Sequence, residues 1–196
     1  KGGHGKKYWW QFLDRCDPLV DALRGLGRCL VVAGVTKHLV FAWQPLDRVL
    51  SNALFVFATE TSSTFAVLQS RIHEGWARRL SSSMRNDLRY APTDCYETFP
   101  FPQPDPCTVI PAIEAIGERL CRTRSEFMVA TDQGLTQTYN HLKDPRCDDE
   151  RVVALRHLHE EMDRSVLDAY GWTDIEVPPF CPKSPDETRS IEQFQD

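Results

Sequence analysis

The residues best equipped for chemistry lie in one basic stretch. Between Arg71 and Arg89 stand five arginines (71, 78, 79, 85 and 89) against Glu74 and Asp87, a local balance of +3. Guanidinium groups at that density suit phosphate binding, although a solvated helix face has the same mixed charge. Groups able to break bonds are harder to find. Asp94 and Glu97 form a carboxylate pair without the following Lys of a metal-dependent nuclease core. His141, Cys147, His157 and His159 have the wrong spacing for a tetrahedral zinc site, and His157 and His159, two apart, point to different faces of a helix. Gly2-Gly3-His4-Gly5 has neither the preceding strand nor the glycine spacing of a phosphate loop. No G-x-S-x-G, H-E-x-x-H or Walker pattern occurs, and no Cys–His nucleophile pair can be singled out among seven Cys and six His. The chain by itself is expected not to catalyse, and no metal is expected.

Several elements must position the arginines. Asp17-Pro18 through Gly25 reads as a short helix, with an N-cap, a Pro at the first helical position and a terminal Gly. Cys29–Val32, His38–Trp43 and Ala53–Ala58 are β-branched and aromatic, interrupted at Gly34 and Gln44-Pro45, and predict at least three strands. Thr61–Thr64 supplies N-cap residues. Phe65, Leu68, Ile72, Trp76 and Leu80 then recur at helical spacing, predicting one amphipathic helix with Arg71, His73, Arg78 and Arg79 off its apolar stripe. Ser82–Pro102 reads as a basic turn, then a rigid connector with buried aromatics, because Pro100, Pro102, Pro104 and Pro106 cannot donate to a helix or central strand. Beyond it lie helices at Thr108–Ala130, Leu135–Leu142 and Asp149–Tyr170, the last carrying the stripe Val152, Leu155, Leu158, Met162, Val166 and Tyr170. From Glu176 the chain is rich in Pro and charge and is expected to be irregular.

The expected fold is α+β: a small mixed or antiparallel sheet with packed helices, followed by a helical C-terminal subdomain. The expected boundaries are 1–104, 105–175 and a tail, 176–196. Charge divides at the same place: residues 1–104 hold 13 of the 23 Lys and Arg but 9 of the 28 Asp and Glu, leaving +4, whereas residues 105–196 hold 10 and 19, leaving −9. The basic half could face phosphates while the acidic half faces solvent or another domain. The composition, 41% hydrophobic and 26% charged, is that of an ordinary globular protein. The longest apolar run, Leu39–Phe57, is broken by Gln44, Pro45, Asp47 and Arg48, so no membrane partner is expected. Seven scattered Cys without a C-x-x-C pair favour reduced thiols and a cytoplasmic location. The opening Lys1-Gly2-Gly3-His4-Gly5 lacks a starting Met and the order of a signal peptide, and reads as an internal cut.

Three segments carry a family resemblance: Leu68–Trp76, Met84-Arg85-Asn86-Asp87-Leu88-Arg89-Tyr90, and Phe99-Pro100-Phe101-Pro102. Tyr8-Trp9-Trp10, Thr36-Lys37-His38 and Leu167-Asp168-Ala169-Tyr170-Gly171-Trp172 extend it in order over nearly the whole chain. The sequence resembles the C-terminal target-recognition region of MmeI-like fused restriction–modification enzymes and related adenine-specific DNA methyltransferases of phage-defence systems. It departs from them at Leu88 and Ala91, where relatives commonly carry an aromatic and a Ser. The resemblance implies recognition of a short double-stranded DNA sequence, so that an upstream methyltransferase domain of the same parent chain can methylate adenine N6 with S-adenosylmethionine. This chain has neither the Asn/Asp-Pro-Pro-Tyr/Phe base-gripping motif nor a cofactor loop, so no cofactor is expected within it. The family's base-reading positions map onto Arg85 and Asp87. Arg can donate twice to guanine O6 and N7, and Asp can accept from cytosine N4; the two could equally form only a surface salt bridge. Lys37, His38, Arg71, Arg78, Arg79 and Arg89 become candidates for phosphate contacts, which position without specifying, with Arg89 and Tyr90 alternatively locking the turn onto the connector. The competing function is a protein-interaction or scaffolding domain without DNA contact, its acidic helical half binding the rest of a complex.

Overall fold

The computed structural model describes residues 17–84 and 87–195. A short helix, α1 (Asp17–Ala22), leads into a three-stranded antiparallel sheet of order β3-β1-β4, with β1 at Arg28–Ala33, β3 at Phe41–Pro45 and β4 at Leu54–Phe57. Leu30 of β1 stands opposite Trp43 on one side and Phe57 on the other. Cys29, Leu30, Val31 and Val32 are all buried, so this central strand is covered on both faces, as its unbroken apolar run requires.

The helix expected from Phe65 to Leu80 is two helices, α2 (Ser62–Gln69) and α3 (Arg71–Leu80). Ser70 ends the first and caps the second: its backbone is extended, its Oγ donates to the Val67 carbonyl (2.7 Å) and accepts from the His73 amide (3.3 Å). The apolar spacing runs through the break, which hides it. Every residue of α2 is buried, so α2 is a core helix, whereas α3 is amphipathic.

The C-terminal half consists of α5 (Pro111–Thr131), α6 (Leu135–Leu142) and α7 (Glu150–Tyr170), close to the expected helices. Pro111 opens α5, and Gly171 closes α7 in the left-handed conformation at φ 76°. These helices are fastened to the first half at three buried points. A Cβ on Gly117 would strike the Ser62 carbonyl, so only glycine lets α5 approach α2 this closely. Glu114 of α5 accepts from the amides of Ser62 (2.9 Å) and Ser63 (2.6 Å), placing a carboxylate on N–H donors that have no partner within the helix at the start of α2. Arg124, 3% exposed, donates to the Phe41 carbonyl (2.9 Å) and the Tyr139 hydroxyl (3.1 Å). One apolar core runs from Leu30 through Leu68 and Leu120 to Val166. The fold is the expected α+β arrangement, 51% helical.

The tail differs from expectation. After Phe180 and Cys181, both buried, Pro185–Gln195 forms a helix, α8, packed on α3. Ser184 accepts the Glu187 amide through Oγ (3.2 Å), Pro185 sits in the first turn, and Asp186 and Glu187 favour the positive end of the helix. That capping pattern was present in the sequence beneath the Pro-rich, charged composition. Among the described residues no helix is long and apolar enough to cross a membrane.

Candidate nucleic-acid interface

Ser82–Arg89, expected as a turn, contains a strand pair. β5 (Ser82–Met84) and β6 (Asp87–Arg89) are antiparallel, with Ser82 opposite Arg89, Ser83 opposite Leu88 and Met84 opposite Asp87. A third strand, β2 (Val35–Thr36), pairs with the other edge of β6, placing Val35 opposite Arg89 and Thr36 opposite Leu88. The chain crosses between the sheets at Gly34, whose amide donates to the Ala53 carbonyl (2.9 Å) while its own carbonyl accepts from Tyr90 (3.0 Å).

Alternation along β6 separates its side chains. Leu88 is 5% exposed and faces the core, whereas Asp87 and Arg89 share the opposite face, Asp87 half-buried and Arg89 exposed. Tyr90 then turns back into the core. Its ring lies about 6 Å from those of Phe41, Phe57 and His73, and its hydroxyl is 3.0 Å from His73 Nε2. Burial pushes the Tyr90 hydroxyl far up and pulls the His73 imidazole down to about 3, so both are neutral near pH 7.

The connector packs against α3 and β4. Phe99 packs edge-on against His73 (4.6 Å) and Phe101 (5.1 Å), Tyr96 lies 4.8 Å from Phe57, and Trp76 Nε1 donates to Thr98 Oγ1 (3.2 Å). Of the aromatics of Tyr96–Pro102, Phe99 is buried and Tyr96 and Phe101 are half-buried, and their partners His73 and Phe57 in turn contact Tyr90. The segment also contains a short helix, α4 (Pro92–Cys95).

The candidate cations fall into different environments. Arg85 lies outside the described residues. Arg71 does not reach the surface: it is 4% exposed, Nε donates to Asp163 Oδ2 (2.6 Å), and Nη1 and Nη2 donate to the carbonyls of Pro179 (3.0 Å) and Pro178 (2.8 Å). Its expected phosphate role is corrected to an internal tie between α3, α7 and the Pro178–Phe180 turn, because its donors are already engaged. His38 is corrected likewise. It is 6% exposed, its Nε2 faces Asn140 Oδ1 (3.0 Å), and burial followed by the charges of Lys143 and Lys37 lowers its pKa despite the hydrogen bond to Asn140. A buried neutral imidazole offers a phosphate nothing.

Lys37 is exposed, its Nζ resting on the same Asn140 Oδ1 (2.8 Å). Arg78 donates to Glu74 Oε1 through Nε (2.9 Å) and Nη2 (2.6 Å) and keeps 38% of its side chain in solvent. Burial alone would raise the Glu74 carboxyl, but Lys143 and Arg78 outweigh it and hold the pKa at about 2. Arg79 is exposed and lines a groove with Trp76, Tyr170 and Phe194. Lys37, Arg78, Arg79 and Arg89 thus remain at the surface. Asn140, which orients Lys37, escaped the sequence reading because it is 103 residues away and sits in α6.

Residues 31–103, from β1 through the Pro-rich connector, match the family model described as the MmeI target recognition domain. This stretch is therefore similar to the MmeI target recognition domain. The fold is similar to that of the type IIL restriction–modification enzyme MmeI, solved in complex with DNA. The match has a TM-score of 0.59 at 19% identity and covers 86% of this chain and 20% of that one. The chain is also 29% identical over 132 residues to DNA methyltransferase A of Bacillus subtilis (strain 168), covering 66% of this chain and 13% of the relative. It spans about an eighth to a fifth of the length of these relatives.

Proposed function

We propose that this chain reads a short duplex DNA sequence on behalf of a site-specific adenine-N6 methyltransferase, and that the outer face of β2-β6-β5 is the reading face. The observation that carries the proposal is the alternation along β6: Leu88 and Tyr90 anchor the strand, leaving Asp87 and Arg89 together on the other side. The β5–β6 pair at one edge of this sheet is a two-stranded ribbon, which is narrow enough for the major groove. In this reading Arg85 donates to guanine O6 and N7 and Asp87 accepts from cytosine N4, together reading one G·C pair. Lys37, Arg78, Arg79 and Arg89 contact phosphates and set the register.

Residues 1–104 act as the reader and 105–175 as its buttress, through Glu114, Gly117, Arg124 and Asn140. S-adenosylmethionine belongs to an upstream methyltransferase domain of a cytoplasmic restriction–modification or phage-defence enzyme. The present residues do not fit the cofactor, because among the described strands none runs through a glycine-rich turn into a helix.

The test is to exchange the reading charges, Arg85→Glu with Asp87→Arg, in the complete protein and to map methylated adenines across a genome. The recognised motif should change at one base pair while methylation persists elsewhere on the new sites. An unchanged motif overturns the assignment of the pair. The scaffolding alternative predicts no duplex binding at any salt concentration.

A further inference from the structure

We propose that Val35 is a specificity-determining residue of this face, its methyl groups supplying the apolar contact that recognises the 5-methyl group of a thymine. The inference rests on the reading of β2-β6-β5 as the DNA-facing surface and names a contact within it.

Val35 stands directly opposite Arg89 in an antiparallel pair, and such partners project from the same side of the sheet with Cβ atoms about 5 Å apart. Its neighbours Thr36 and Leu88 occupy the other side, Leu88 in the core. Val35 is nevertheless 46% exposed, an apolar side chain beside the charged pair Asp87 and Arg89. The hydrogen bond from the Tyr90 amide to the Gly34 carbonyl (3.0 Å) holds this register one residue away.

Single exposed apolar residues are common and by themselves mean little. Val35 differs in its position, opposite a guanidinium on a strand whose backbone is pinned. Its β-branch restricts χ1, so the methyl groups are held in place at small entropic cost. In the major groove thymine is distinguished by its O4 acceptor and its C5 methyl, and only an apolar group addresses the methyl.

Replacing thymine by uracil removes that methyl and nothing else. Duplexes carrying the motif recognised by the complete protein, each with one thymine changed to uracil, should bind it unequally. At one position the loss should be roughly fourfold, the value of one buried methyl group. In Val35→Ala the same exchange should cost less than about 1.5-fold, whatever the variant's overall affinity. This ratio is insensitive to partial loss of fold, since both duplexes meet the same protein. Sequence-specific binding without a thymine-to-uracil cost, or a cost that persists in Val35→Ala, overturns the assignment of Val35 alone. A protein that binds all duplexes equally or none overturns the recognition reading and this assignment with it.

Discussion

Arg71 offers a quantitative test of which arginines serve the fold and which serve the proposed DNA contacts. Its guanidinium faces Asp163, whose side chain is fully buried, and the carbonyls of Pro178 and Pro179. Arg71→Ala leaves the carboxylate of Asp163 in the interior with one partner, the Arg71 amide at 2.9 Å. Breaking a buried pair in this way costs about 3–5 kcal/mol, because the remaining charge keeps its desolvation penalty and loses its counterion. For a chain of 196 residues that corresponds to a fall in Tm of roughly 6–20 °C. Removing both charges together, Arg71→Met with Asp163→Leu, should recover most of the loss, since no buried ion is then stranded. Urea midpoints of the three variants provide the comparison, and the salt dependence of DNA binding provides a second axis. Arg71→Ala should leave the slope of log K against log salt unchanged for the folded fraction. An unchanged urea midpoint with a slope smaller by about one would refute the burial argument and return Arg71 to the phosphates.

Arg89→Gln and Lys37→Gln should behave the opposite way, changing the unfolding free energy from urea titration by less than about 0.5 kcal/mol while each lowers the salt slope by about one. Gly117→Ala should destabilise by about 1–3 kcal/mol through overpacking against the Ser62 carbonyl, and Glu114→Ala by about 1–2 kcal/mol by uncapping α2; thermal unfolding reads both. His73 predicts a pH dependence. Its pKa falls from about 6.5 unfolded to about 3 folded, so its neutral form contributes fully above pH 6.5, and stability is lost as pH falls from there toward 3 because the unfolded chain takes up the proton first. His73→Phe with Tyr90→Phe, which leaves no orphaned hydroxyl, should flatten the stability profile between pH 4 and 6 by about 1.4 kcal/mol per pH unit; an unchanged slope in urea titrations would count against a buried neutral imidazole.

Much of this protein was legible in one dimension because the responsible forces act locally. Pro111 and Gly171 mark helix boundaries through their own dihedral preferences, the apolar run Cys29–Val32 announces a covered strand, and the stripe from Val152 to Val166 requires a buried helix face. The basic stretch of Arg71–Arg89 was equally visible. Local signals misled where two patterns overlapped: Ser70 breaks a helix without disturbing its apolar period, and the cap at Ser184 was masked by surrounding Pro and charge.

Tertiary structure alone sorted the arginines, because exposure depends on what packs above a side chain and not on its type. Arg71 and Arg79 lie eight residues apart on one helix, yet Asp163 and the Pro178–Phe180 turn enclose the first and leave the second at the surface. The pairing of β2 with β6 was hidden for the same reason: Val35 and Arg89 are separated by 54 residues, and only the register of the folded chain brings them to one face. Composition and spacing thus located the basic surface, while long-range pairing and burial determined which of its residues stay at the surface.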